Sequence, residues 1–176
     1  MGKIIKPQPV KLILALIFRD KLSYSKTLRI LSKKFGRIDF ESPVFNFNVT
    51  DHYEKEIGRD LFRRFISFNK LIPPEALSRI KILTNKIEKK LSCKKGRTVN
   101  IDPGYLDMAK LVLATTKDYM HRIYLGRGIY AEITLSYQGK SFRPWDWTYP
   151  DYRTDAYIRL FNHIRHIYSQ QITKRI

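Results

Sequence analysis

Cysteine is nearly absent: Cys93 stands alone among 176 residues, which excludes an internal disulfide and any zinc site built from several cysteines. Long apolar runs are missing too. The longest, Val10 to Phe18 interrupted by Lys11, is nine residues, whereas a membrane-spanning helix needs about 20. It reads as a buried strand. Lys3, Lys6 and Lys11 lead into it as in a secretory signal, but Arg19-Asp20-Lys21 stands where a small-residue cleavage site belongs. The expectation is a cytoplasmic protein with no membrane partner. Internal repeats and low-complexity stretches are absent, and so is the phosphate-cradling string G-x-x-x-x-G-K-[ST], of which Lys95-Gly96-Arg97-Thr98 is only a fragment.

Acidic residues are scarce relative to basic ones. The sequence holds 16 Asp and Glu against 34 Lys and Arg, a net charge of +18, and such a field attracts polyanions: nucleic acid, nucleotides, phosphorylated surfaces. Most of this field lies early, since 22 of the basic and 9 of the acidic residues precede Arg97. Solubility is the plainer use of the same charge. Aromatics, at 13%, and hydrophobic residues, at 43%, suffice for one packed domain over 1–176.

Periodicity predicts the elements in order. After a Lys/Pro-rich lead-in come a strand over 10–18 and a helix over 24–35 stopped by Gly36. Strand segments at 38–41 and 44–49 flank Pro43, and a strand follows over the second part of 56–71. Pro73-Pro74-Glu75 opens a helix to Leu91, with Leu77, Ile80, Leu83, Ile87 and Leu91 on one stripe and a basic opposite face. Arg97 to Ile101 reads as a short strand closed by the turn signal Asp102-Pro103-Gly104. The order βαββαβ over 7–101 predicts a ferredoxin-like α+β part. Residues 102–176 extend it with a β-hairpin, an aromatic loop and a C-terminal helix capped by Thr154.

The hairpin allows a register argument. With Gly126-Arg127-Gly128 as the loop, Leu125 faces Ile129, Ile123 faces Ala131, Tyr124 faces Tyr130 and Arg122 faces Glu132. One face is then apolar, and the other carries the polar groups. That polar face serves as an ordinary solvated surface or as one wall of a site. The plainer use is the solvated surface; for a site the sequence does supply neighbours, since Thr115-Thr116-Lys117-Asp118 leads in and Arg143 to Tyr152 follows with four aromatic rings.

Two chemistries fit these residue types, and a third class needs none. A phosphate-bearing ligand, nucleotide or RNA, suits Lys117, Arg122 and Arg127 as cations, with Tyr124, Trp145, Trp147 and Tyr149 as stacking rings. The same rings serve equally as a packing plug. A magnesium-dependent phosphoryl-transfer or hydrolytic enzyme instead takes Asp102, Asp118 and Glu132 as oxygen ligands. There His121 acts as acid or base beside Asp118 and Glu132. The third class is a structural or assembly module, marked by a broad apolar surface. The histidines exclude the 2H phosphoesterase chemistry: His52, His121, His163 and His166 are followed two residues on by Glu54, Ile123, Arg165 and Tyr168, not Ser or Thr.

Several strings carry a resemblance. Asn100-Ile-Asp-Pro-Gly-Tyr105, Leu113-Ala-Thr-Thr-Lys-Asp118, His121-Arg-Ile-Tyr124, Gly128-Ile-Tyr-Ala-Glu-Ile-Thr-Leu135 and Trp147-Thr-Tyr-Pro-Asp-Tyr152 resemble the bacterial DUF4416 family, a domain of unknown function. The stretch from Asp51 to Phe68 is similar as well, so the resemblance runs from about Pro7 into the last helix. It implies no activity. Some members carry a GTP-binding label, which implies a nucleotide ligand. The one guanine-recognition lookalike, Thr84-Asn85-Lys86-Ile87-Glu88, falls inside a predicted helix.

Overall fold

A computed structural model describes residues 2–47, 57–93 and 96–174. Positions 48–49 of the predicted second strand segment and position 56 at the head of the third lie outside the described residues. Among those described, three α-helices and nine strands form an α+β fold around one antiparallel sheet.

Strand β1 (Lys11–Phe18) is the spine. It pairs antiparallel with β4 (Leu61–Phe68) on one side and β5 (Val99–Leu106) on the other, so all its residues are buried and, after Lys11, its sequence reads as an unbroken apolar run. β2 (Ile38–Glu41) and β3 (Phe45–Phe47) both pair with the outer edge of β4. The order β2-β4-β1-β5, with helices α1 (Lys21–Phe35) and α2 (Leu77–Leu91) packed on one face, is the ferredoxin-like arrangement. Leu12, Leu14 and Leu16 face those helices, while Ile13 and Ala15 face α3 (Asp155–Thr173) on the opposite side. Three layers result.

Helix α1 begins earlier than its apolar spacing suggests. The Asp20 carboxylate accepts from the Ser23 backbone N–H at 2.8 Å, and this N-cap starts the helix at Lys21. Beyond β5 the sheet continues through β6 (Lys110–Thr115), β8 (Ile129–Gln138) and β7 (Ile123–Gly126), with β9 (Ser141–Pro144) also on the outer edge of β8. The aromatic loop expected from Arg143 to Tyr152 begins later than its sequence suggests, since Arg143 and Pro144 end strand β9. At a sheet edge the missing N–H of Pro144 costs nothing.

Two sequence expectations fail in informative ways. The hairpin pairs Ile123 with Ala131 and Tyr124 with Tyr130 as expected, but Gly126 pairs with Ile129 and Leu125 is a bulge. The loop is therefore the two residues Arg127 and Gly128, both with positive φ (60° and 73°), and the bulge restores the parity a shorter loop would have spoiled. Asp102-Pro103-Gly104 makes no turn at all; it lies in the middle of β5. There β6 pairs only with Gly104, Tyr105 and Leu106, so residues Val99 to Pro103 have β1 on one side and no strand on the other. Pro103 falls in phase with Ile101, whose N–H points away from β1, and a proline there ends the ladder. Gly104 lets the strands meet just before they part: a Cβ on it would sit 2.5 Å from the Val112 carbonyl oxygen.

Candidate functional site

Where β5 and β6 diverge, a cleft of about 740 Å³ opens. Helix α2 contributes Lys81, Asn85 and Glu88; β5 contributes Asn100 and Asp102, and the segment leading into it contributes Arg97. The far wall is Thr115 at the end of β6, Thr116 and Lys117 just beyond it, then Arg122 and Glu132. Arg63, Phe47 and a 3-10 turn at Pro150–Arg153, with Tyr149 before it, complete the lining.

The bare edge of β5 is satisfied by side chains from α2. Glu88 Oε1 accepts from the Ile101 N–H at 2.6 Å, and Lys81 Nζ donates to the Ile101 carbonyl at 3.4 Å and to Asp102 at 3.1 Å. Arg97 donates to Glu88 at 2.9 Å and to Asn100 at 3.2 Å, and Asn100 Nδ2 donates to Asp102 at 2.6 Å, closing a ring of polar groups. Burial pushes the Glu88 carboxyl above the usual carboxylate range, against the pull of its N–H and cationic partners.

On the opposite wall Arg122 organises a second network. Its Nε donates to Glu132 at 2.9 Å, one terminal nitrogen donates to the Lys117 carbonyl at 2.9 Å, and the other to the Tyr149 hydroxyl at 3.3 Å. Burial, the largest single influence, works against this charge, but the contacts with Glu132 and Tyr149 together hold the guanidinium pKa above its ordinary value. His121 Nε2 lies 3.3 Å from the same Glu132 carboxylate, and Thr134 donates to it at 3.3 Å. A third pair, Arg63 with Asp151, is buried beneath Phe47 and Tyr152, the guanidinium 4.2 Å above the Phe47 ring. Burial raises the Asp151 pKa although Arg63 opposes the shift.

Each of the four carboxylates in the cleft (Glu88, Asp102, Glu132 and Asp151) thus has a cationic partner. Lys117 has no ion-pair partner among the described residues, so the cleft carries an unmatched positive charge.

Of the residues predicted to bind ligand, Lys117, Arg122 and Tyr149 line the cleft; Tyr124, Arg127, Trp145 and Trp147 do not. Arg127 occupies the hairpin tip, and the Tyr124 hydroxyl accepts from the Gly128 N–H at 3.2 Å. Trp145 and Trp147 belong to a loop that fills the gap on the outer edge of β8 between β7 and β9. There Trp147 Nε1 donates to the Ile133 carbonyl at 3.0 Å and Thr148 Oγ1 to the Thr134 carbonyl at 2.6 Å. The packing use of these rings is real. Of the residues predicted for metal or catalysis, Asp102 and Glu132 line the cleft, His121 sits behind Glu132, and Asp118 is exposed outside it. Asp102, Asp118 and Glu132 do not come together: no group of three or more His, Cys, Asp or Glu among the described residues could hold a metal ion.

Sequence reasoning missed Lys81, Asn85, Glu88, Arg97 and Arg63. A signal for the first three existed, since positions 81, 85 and 88 share one helical face. That face was read as solvated, but Lys81 and Glu88 are 7% and 5% exposed because they cover the open edge of β5. No helix among the described residues is long and apolar enough to cross a membrane. No curated protein and no solved structure matches the chain. Residues 8–168 match the family described as Domain of unknown function (DUF4416), and the chain belongs to that family.

Proposed function

We propose that the cleft between β5 and β6 binds a phosphate-bearing ligand of nucleotide size, held by Lys117 and Arg122. The observation that carries this reading is the electrostatic imbalance of the cleft: every lining carboxylate is matched by a cation, and Lys117 is left over. Thr115 and Thr116 add hydroxyls beside it, and Tyr149 offers a half-exposed ring to a base. A volume of about 740 Å³ lies within the range of small-molecule sites. The net charge of +18 would speed the approach of an anion. Binding is favoured over magnesium-dependent catalysis because Asp102 and Glu132, the carboxylates available to a metal, are committed to Lys81 and Arg122.

The test is the melting temperature with GTP, ATP or pyrophosphate, with and without magnesium. A ligand at about 100 times its dissociation constant stabilises by about 2.7 kcal/mol. Lys117→Ala should leave the unliganded melting temperature unchanged, since the side chain is exposed, and abolish most of the shift. No shift with any of these anions, or an equal shift in the variant, would sink the proposal.

A further inference from the structure

The outer rim of β8 carries a second feature that the cleft does not explain. Along it lie Arg127 at one end, then Tyr124, Trp147 and Trp145, then Arg143 and Lys140 at the other end. Trp145 and Trp147 stack nearly parallel, with centroids 5.1 Å apart and planes 5° apart, and His121 stacks on Trp147 at 5.4 Å and 12°. These rings are held flat and still remain open to solvent: Tyr124, Trp147 and Trp145 are 59%, 39% and 37% exposed. Filling the gap in the β8 edge needs the Trp147 indole N–H and the Thr148 hydroxyl, but it does not need Trp145, whose ring adds only the outer leaf of the stack. Trp147 is covered by His121 and Trp145, so the ring faces left for a base are those of Tyr124 and of Trp145, the outer leaf of the stack; free ring faces flanked by cations are the arrangement that binds unpaired bases and their phosphates.

We infer that this rim is a binding track for single-stranded RNA, and that the cleft receives one phosphate-bearing nucleotide of that strand. The inference rests on the proposed cleft function and names its ligand class. The two surfaces are joined through Glu132, which contacts Arg122 of the cleft and His121 of the stack. A strand of ten residues such as β8 spans roughly 33 Å, room for four or more nucleotides.

The experiment uses the full chain and a fluorescein-labelled single-stranded oligouridylate, followed by anisotropy at several salt concentrations, with UMP and double-stranded RNA as comparisons. The oligonucleotide should bind far more tightly than UMP or the duplex, with affinity falling as salt rises. Trp145→Ala should weaken it at least about fivefold while leaving the response to pyrophosphate unchanged. Oligouridylate binding no tighter than UMP, or unaffected by Trp145→Ala, would overturn the track; retained pyrophosphate binding would then leave the cleft standing by itself. Self-association that Trp145→Ala abolishes would also overturn it, by giving the rim to a second copy.

Discussion

Gly104→Ala probes the divergence of β5 and β6 that creates the cleft. A Cβ at this position meets the Val112 carbonyl oxygen at 2.5 Å and Leu113 Cδ2 at 2.6 Å. The leucine can rotate away, but the carbonyl belongs to a strand held by β5 on one side and β8 on the other. Strand β6 must therefore shift. Overpacking of this kind costs about 1–3 kcal/mol, and each ladder bond stretched beyond use adds about 1 kcal/mol. Removing a glycine from a strand returns roughly 0.5–1 kcal/mol. The balance is a loss of about 2–3 kcal/mol, which for a chain of this size lowers the melting temperature by roughly 4–12 °C. Thermal unfolding followed by circular dichroism measures it. Gly139→Ala is the control, because a Cβ there meets nothing within 4 Å and only the φ of +62° opposes it, a cost of about 1–2 kcal/mol. A melting temperature for Gly104→Ala equal to or above that of the parent would refute the close approach of the two strands.

Other perturbations read the same structure. Arg122→Ala leaves the Glu132 carboxylate, 3% exposed, without its guanidinium; urea unfolding should show a loss of about 3–5 kcal/mol, and adding Glu132→Gln should restore part of it. Burial lowers the Lys11 pKa although Asp39 opposes it, so the unfolded chain holds this proton to higher pH than the folded one. Stability should accordingly rise with pH between the lowered value and 10.5, and Lys11→Met should flatten that rise. Glu88 and Asp151 run the other way: their raised pKa values make stability greatest below the ordinary carboxylate range and declining as pH climbs through the raised values. Glu88→Gln, measured by melting across the acidic range, should reduce the decline. Asp20→Ala removes the cap of α1 and should cost about 1 kcal/mol by the same measurement.

Much of the fold was legible because its signals are local. The apolar run of β1, the stripes of α2 and α3 and the Thr154 cap each depend on neighbours in sequence. The hairpin register was recovered at Ile123 and Tyr124 even though the loop was drawn one residue too long, since alternation fixes which residues face each other. Asp102-Pro103-Gly104 misled for a physical reason. Proline and glycine mark a turn and a strand edge that has lost its partner by the same properties, a missing N–H and a missing Cβ. Only the long-range course of β6 decides between them. The α2 half of the cleft was hidden for that reason as well: nothing near Lys81 and Glu88 in sequence announces that they cap the backbone of Ile101. Arg122 and Glu132 were found together because the hairpin register, carried one residue beyond the Ile123–Ala131 pair, sets them opposite one another; their side chains do meet, although Arg122 lies just outside β7.

The central claim, that an anion binds in the cleft, is tested most directly by mapping backbone amide chemical shifts during a pyrophosphate titration. Saturable changes concentrated at Thr115 to Lys117, Arg122, Asn100 and Asp102 are the expected result. Changes confined to α1 or to the outer face of α3, or none that saturate, would contradict it.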